Sequence, residues 1–152
     1  MEAGLEELCM GVLDAMASKR DELGHRGTAG VLFVEKDAVG LLRAGKKVNV
    51  LFEPVFRVNL ISRASRDDPK VFYNFPNTAS GKLWQMVRTG KASGPEGAIA
   101  GEPTYLGGIT VEWGEFYVFI TFSGAPEEVD VQISEAGAKA LPTWEEWQEQ
   151  FD

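Results

Sequence analysis

Apolar residues near the start of the chain recur at intervals of three and four positions. This spacing places them on one face of a helix, which we predict over residues 5–23. Gly24 is the expected end, because glycine readily takes the left-handed conformation found just beyond helix C-termini. The residues of this apolar face are Leu5, Leu8, Cys9, Val12, Leu13 and Met16.

Short apolar runs and period-two alternation follow this helix and favour strands. The run TAGVLFVEK (28–36) predicts a strand, DAVG (37–40) a turn, and LLRAG (41–45) a returning strand. Apolar and polar residues then alternate over residues 47–65 with a break at Pro54, which predicts further strands. The first half of the chain therefore has the pattern of a helix followed by antiparallel strands.

Proline and glycine divide the centre of the chain. SRDDPK (65–70) predicts a loop, because a residue that precedes proline disfavours helix. VFYNFP (71–76) predicts an extended segment, and the apolar spacing after it predicts a short helix over residues 83–89. Residues 90–101 are rich in glycine, alanine and serine, and they predict a flexible loop that is long enough to be functional or partly disordered.

Two apolar runs in the last third of the chain predict a β-hairpin. GGITVEW (107–113) and EFYVFITFS (115–123) are separated by a single glycine, which suits a tight turn. A helix is predicted over residues 127–141, because Pro126 suits its start, acidic residues fill its first turn and Lys139 lies in its last.

The C-terminal segment PTWEEWQEQFD predicts one more amphipathic helix. Thr143 and Glu146 have the spacing of a capping box, and Trp144, Trp147 and Phe151 share one side. Large aromatic side chains are common at the centres of protein interfaces. We therefore predict that these three residues form a homo-oligomer interface, with a clasp inside one subunit as the alternative.

Composition limits the function classes. The 152 residues suit one domain (1–152, with 143–152 as a helical tail), and the net charge is −8. So acidic a chain disfavours nucleic acid and anionic membrane surfaces as partners. No apolar run approaches the ~20 residues that cross a bilayer. The acidic start, MEAGLEELCMGVL, lacks the positive residues of a secretion signal, so we predict a cytoplasmic protein.

Few residue types that carry metal or nucleophilic chemistry are present. The chain has one histidine and one cysteine, and it shows no zinc-ligand spacing, nucleophile elbow or phosphate loop. His25 therefore has two interpretations, a solvated residue at a helix end or a haem ligand. In the second, the other axial ligand would be Met10, Met16, Met86 or Tyr105.

Two glycine-containing pairs are candidates for ligand contact. Gly107-Gly108 precedes the first hairpin strand, where it makes either a simple bend or a close backbone approach to a ligand. Ser123-Gly124 lies just before a predicted helix N-terminus, which attracts anions. Asp130 in the same first turn would oppose an anion, so both interpretations stay open.

The same segment resembles the C-terminal signature of the HbpS-like, or GlcG-like, proteins. That signature is a double glycine, a strand, a turn, a second strand that ends in Ser-Gly, an acidic helix start and a small-residue segment. Two departures are Thr110, where the family has proline, and the segment EPVFRVNLISRAS (53–65), where its lysine-bearing middle helix is not found. The matching residues are Gly107, Gly108, Ser123, Gly124, Asp130, Ala136, Gly137 and Ala138.

The resemblance implies a profilin-like (roadblock-like) α/β sandwich, with an antiparallel sheet, helices on its faces and usually an oligomeric state. Some members of the family bind haem or are linked to its degradation. We therefore predict a small-molecule-binding protein, with haem as a possible cofactor. The alternatives are an enzyme with a pocket near Gly107-Gly108, its catalytic residues unassigned, and an interaction domain that uses the tail. The predicted ligand-binding residues are His25, Tyr105, Gly107, Gly108, Ser123, Gly124 and Asp130.

Overall fold

A four-stranded antiparallel sheet carries helices on both faces. The computed structural model describes residues 2–46, 55–59 and 74–151. In chain order the elements are α1 (Glu2–Leu23), β1 (Thr28–Glu35), α2 (Lys36–Arg43), β2 (Val55–Asn59), α3 (Phe75–Thr89), a 3-10 turn (Pro95–Gly97), β3 (Gly108–Trp113), β4 (Phe116–Ser123), α4 (Glu127–Lys139) and α5 (Trp144–Glu149). The strand order in the sheet is β2-β1-β4-β3.

Strand β4 is central and pairs with a neighbour on each side. It pairs with β1 from Thr28↔Ser123 to Glu35↔Phe116, and with β3 from Gly108↔Thr121 to Trp113↔Phe116. Its side chains alternate between the two faces of the sheet. Val118, Ile120 and Phe122 join the core formed with α1 and α4, whereas Phe119 joins the core formed with α3. The predicted α/β fold with an antiparallel sheet is confirmed.

Helices α1 and α4 pack closely because α4 has a glycine at the contact. A Cβ atom added to Gly137 would lie 2.7 Å from Cγ of Met16. Helix α1 runs over the range predicted from its apolar spacing and begins earlier, at Glu2. Helix α4 ends at Lys139, two residues before the predicted limit.

The predicted turn and returning strand over residues 37–45 are wrong, because Lys36–Arg43 forms helix α2. Ala38 and Val39 are buried in this helix against α3 and the sheet. Asp37 and Arg43 also complement the two ends of its dipole. The eight-residue segment is too short for periodicity to identify the helix, so the tertiary packing decides its structure.

Helix α3 begins eight residues earlier than the sequence pattern indicates. It spans Phe75–Thr89, with Pro76 in the first turn, where a missing N–H is harmless. The predicted extended segment is therefore wrong at its described residues, 74–76, since Asn74 also has helical backbone angles. Within the predicted strands over residues 47–65, Val55–Asn59 is a strand paired with β1. The rest of that region and the predicted loop over 65–70 lie outside the described residues.

The C-terminal helix packs on the hairpin of its own chain. The predicted capping box is present, with Thr143 and Glu146 each accepting a backbone N–H of the other. The rings of Trp144 and Trp147 both lie 5.0 Å from the ring of Trp113. Trp147 is 2% exposed, whereas Phe151 is 53% exposed. All three aromatic residues thus make ring contacts within the subunit, since Phe151 packs on Trp147 with the ring centroids 4.9 Å apart, and the homo-oligomer interface stays a prediction.

We expect Trp147→Ala to lower the free energy of unfolding by about 3–5 kcal/mol, because it empties a buried site in the ring cluster. Trp84→Ala is the matched control, since Trp84 is 49% exposed. Its effect is expected within about 0.5 kcal/mol. Urea denaturation measures both. Equal losses of unfolding free energy in the two variants would contradict the packing of α5 on the β3–β4 hairpin.

Candidate functional site

A cavity of about 390 Å³ lies where α3, the segment before β3 and the β4–α4 turn meet. This volume is within the ~300–1,000 Å³ of small-molecule pockets. Its lining combines polar, charged and aromatic side chains. The lining residues are Asn74, Phe75, Thr78, Lys82, Tyr105, Ser123, Gly124, Ala125, Glu127 and Asp130.

A buried ion pair forms one wall of this cavity. Nζ of Lys82 lies 3.3 Å from Oδ2 of Asp130, and the two side chains are 1% and 5% exposed. The ammonium also donates to the carbonyl oxygen of Phe122 at 2.9 Å. Oδ1 of Asp130 accepts the N–H of Ala125 at 3.0 Å. The pair therefore connects α3 to the end of β4 and the first turn of α4.

The chain passes so close to this ion pair that only glycine fits at position 107. A Cβ atom there would lie 2.7 Å from Cβ of Asp130 and 2.7 Å from Nζ of Lys82. Gly107 also has φ +123°, a conformation that other residues avoid. Its carbonyl oxygen accepts the hydroxyl of Ser134 from α4. The backbone at Gly107 is thus fixed against both charged groups.

Gly108 faces a different environment from its neighbour. Its N–H donates to Oγ of Ser93 at 2.8 Å, and its carbonyl accepts the N–H of Ser93 at 3.1 Å. A Cβ atom on Gly108 would lie 2.7 Å from Cε of Met86. Gly108 therefore contacts the 90–101 loop and α3, and its N–H is not free for an anion.

The turn after β4 is equally tight. Gly124 has φ +135°, and a Cβ atom there would lie 2.4 Å from Cα of Gly27. The close contact fixes the course of the chain from Ser123 into α4. This course brings the side chains of Ser123 and Asp130 to the same cavity.

Burial shifts the pKa of both members of the ion pair towards the uncharged forms. It raises the pKa of Asp130 to about 6, and attraction to Lys82 offsets only part of this rise. It lowers the pKa of Lys82, against the attraction of Asp130. The loss of solvation thus outweighs the mutual attraction, which brings the two pKa values closer together.

Ser123 has a buried hydroxyl group with no hydrogen-bond partner in the described structure. Ser123 is only 2% exposed, yet it is one of the residues that line the cavity. Thr28 is its cross-strand partner and Thr121 lies two residues before it on β4, so all three share one face of the sheet. The hydroxyls of both threonines are also buried without a partner there. Unpaired buried polar atoms are rare, so this end of the sheet has hydrogen-bonding capacity to offer.

The predicted ligand-binding residues separate into two groups. Tyr105, Ser123, Gly124 and Asp130 line the cavity, and Gly107 packs against its ion pair. Gly108 and His25 are not among the lining residues. His25 follows the end of α1, where its N–H donates to the carbonyl of Arg20.

The proposed second axial ligands do not form a set with His25. Met10 is 50% exposed on α1, whereas Met16 and Met86 are fully buried in the two different cores. Tyr105 is the one of the four that lines the cavity. Within the described residues, no three His, Cys, Asp or Glu side chains group as metal ligands.

Sequence reasoning missed Lys82, the cation of the site. The lysine-bearing middle helix of the HbpS-like family was compared with residues 53–65. The described part of that segment is strand β2, whereas Lys82 lies on α3. A lysine in the middle of a helix belongs to no motif. The available indication was its place among apolar residues of that helix, Ala79, Leu83 and Met86 at helical spacing.

Comparison with known proteins supports the fold. No family model and no curated protein matches the sequence. A solved structure, described as the crystal structure of a PduOC:heme complex, aligns with a TM-score of 0.54 and 15% sequence identity. The alignment covers 89% of this chain and 92% of the other. The two chains therefore share a fold over most of their length.

None of the described helices is both long enough and apolar enough to cross a bilayer.

We expect Ser123→Ala to leave the free energy of unfolding unchanged or to raise it by about 1 kcal/mol, because it removes a buried hydroxyl that lacks a partner. Ser134→Ala is the matched change at a buried serine whose hydroxyl is bonded to Gly107. It should lower stability by about 1–3 kcal/mol, since it leaves the Gly107 carbonyl unpaired. Urea denaturation compares them. If Ser123→Ala lowers the free energy of unfolding as much as Ser134→Ala does, the hydroxyl of Ser123 is not unpaired.

The raised pKa of Asp130 predicts a pH dependence. Between pH 3.8 and about 6 the folded state holds a proton on Asp130 that the unfolded state has released. Stability therefore falls as pH rises through this window. The Asp130→Asn variant has no carboxyl group to titrate at this position. Through this pH window, the free energy of unfolding of the wild type relative to that of the variant should therefore fall by about 1.4 kcal/mol per unit of pKa shift. Urea denaturation from pH 4 to pH 7 measures it. A constant difference between the two proteins would refute the raised pKa.

Proposed function

We propose that this protein binds a small polar organic molecule in the Lys82–Asp130 cavity. The observation that carries the proposal is the hydroxyl of Ser123, which lines the cavity and has no partner in the described structure. A buried hydroxyl without a hydrogen bond costs about 1–3 kcal/mol. A ligand atom that bonds to it would remove this penalty, and hence gain affinity.

The donors of the cavity indicate a ligand with an oxygen acceptor. The ammonium of Lys82 has three protons, and its two hydrogen bonds in the described structure go to Phe122 and Asp130. Lys82 and Ser123 both line the cavity, so the third proton of the ammonium and the Ser123 hydroxyl are the candidate donors to a ligand. Asp130 and Glu127 line the same space, so an anionic ligand would be repelled. An uncharged carbonyl or hydroxyl compound suits this arrangement best.

We further propose that the chain is an HbpS-like or GlcG-like protein with a profilin-like sandwich. Gly107, Ser123, Gly124 and Asp130, which carry the sequence resemblance, meet around one cavity. Helices cover both faces of the antiparallel sheet, as that fold requires. The fold shared with the PduOC structure supports the same assignment.

Haem is the second candidate ligand, and the shared fold with a haem complex is the observation that favours it. The lining residues do not fit haem held by His25, because His25 is not one of them. Tyr105 is the lining residue of a type that ligates haem iron. The buried charges of Lys82 and Asp130 also suit a polar molecule better than an apolar macrocycle.

The interaction-domain alternative relies on the tail. Trp144 and Trp147 pack on Trp113 of their own chain, which leaves Phe151 as the exposed aromatic residue of the stripe. A homo-oligomer therefore stays a prediction.

Binding can be tested with a panel of small aldehydes, ketones, amides and alcohols followed by protein-observed NMR. We expect shifts at Ser123, Gly124 and Tyr105 in the wild type. In Ser123→Ala the affinity should fall about two- to tenfold, the effect of one hydrogen bond. Ser18→Ala, at an exposed position on α1, is the control and should bind like the wild type. A panel with no member that shifts cavity residues would defeat the proposal.

Haemin titration tests the second candidate in the same proteins. We expect no Soret shift that depends on His25, so wild type and His25→Ala should give the same spectra. A shift lost in His25→Ala would show that haem binds outside this cavity, and one lost in Tyr105→Phe would place it here.

A further inference from the structure

We propose that Lys82 forms an imine with the carbonyl carbon of a small aldehyde or ketone held in the cavity. The inference rests on the proposed function and adds a covalent step to it. Three features of the structure support it: a lysine at the cavity wall, a carboxylate beside it, and an unpaired hydroxyl on the same wall.

The first requirement is an amine that can lose its proton next to the ligand. Nζ of Lys82 is 3.3 Å from Oδ2 of Asp130, which is the acceptor for that proton. Burial favours the transfer, since it lowers the pKa of Lys82 and raises that of Asp130. Desolvation that lowers the pKa of a lysine activates its amine as a nucleophile towards carbonyl compounds.

The second requirement is a ligand that enters without a charge of its own. Among its described residues the cavity wall holds one cation, Lys82, and two anions, Asp130 and Glu127. A carboxylate ligand would add a third negative charge, whereas an aldehyde or ketone adds none. The carbonyl oxygen can accept from the Ser123 hydroxyl, which polarises the carbonyl carbon towards attack.

The step balances without an oxidant or reductant. Asp130 takes a proton from the Lys82 ammonium, and the nitrogen lone pair then forms a bond to the carbonyl carbon. The π electron pair moves to oxygen, and proton transfer from nitrogen gives a neutral carbinolamine. Asp130 returns its proton to the hydroxyl group, which leaves as water while a protonated imine forms. One carbonyl compound and one ammonium thus give one protonated imine and one water.

The environment also suits the product. A protonated imine at Lys82 keeps one N–H and its positive charge. The carbonyl oxygen of Phe122, now 2.9 Å from Nζ, and the carboxylate of Asp130 can accept that N–H. The pair therefore stays electrically balanced before and after the step.

The experiment incubates the folded wild-type protein with acetaldehyde or acetone at neutral pH and quenches with borohydride. Digestion and mass spectrometry then give the modified fraction of each lysine. The exposed Lys46, Lys91 and Lys139 are internal controls. Each unit by which a lysine pKa falls raises its free-amine fraction about tenfold. We expect Lys82 to be modified faster than these controls, by about tenfold for each unit by which burial lowers its pKa.

Variants separate the roles of the neighbours. Asp130→Asn should slow modification at Lys82 and leave Lys91 unchanged, because the carbinolamine then lacks the carboxylic acid that protonates its departing hydroxyl, even though loss of Asp130 lowers the pKa of Lys82 further. Ser123→Ala should slow Lys82 less, and Ser18→Ala should not slow it at all. The wild-type comparison of Lys82 with the exposed lysines decides the proposal, so it does not depend on any variant folding.

Two failures are distinguishable. If Lys82 is modified no faster than the exposed lysines while NMR still shows binding in the cavity, the imine is refuted and the binding function stands. If NMR shows no binding either, the proposed function fails as well. The first outcome would leave the Lys82–Asp130 pair with a structural role only.

Discussion

The buried contact between Lys82 and Asp130 determines how three elements of the fold meet. Two charges inside a protein lose their hydration, and such a pair contributes little net stability compared with apolar residues. Here the carbonyl of Phe122 and the N–H of Ala125 satisfy part of each charged group. Because each bond has a fixed direction, the pair sets the position of α3 relative to the β4–α4 turn. Gly107 then has to be a glycine, since its backbone crosses directly over both side chains.

Sequence patterns predict the elements whose structure depends on interactions between residues that are close together in the chain. The helical spacing of α1, the hairpin turn at Gly114 and the capping box of α5 all appear in the structure. Helix α2 was missed because its eight residues contain a glycine and owe their helical form to the burial of Ala38 and Val39 under α3. Contacts between distant segments leave no periodic trace in such a short stretch.

The site was predicted in part for the same reason. Ser123, Gly124 and Asp130 lie within eight residues of one another, so a local motif could identify them. Lys82 is separated from Asp130 by 48 positions, and only the folded chain shows that they pair. His25 was a candidate ligand-binding residue because it is the single histidine of the chain. Rarity of a residue type indicates nothing about its position, and the fold places it at the end of α1.

The chemistry of the cavity follows from which groups the protein has already satisfied. A helix N-terminus attracts anions, but the first turn of α4 carries Glu127, Glu128 and Asp130. These carboxylates complement the dipole before any ligand arrives. The groups of the described lining that are left for a ligand include the Ser123 hydroxyl and the third proton of the Lys82 ammonium, whose charge is already paired. Both are donors, and neither calls for an opposite charge. A fold shared with a haem complex therefore does not determine the ligand, and it is from the residues of this cavity that we propose a neutral molecule with an oxygen acceptor.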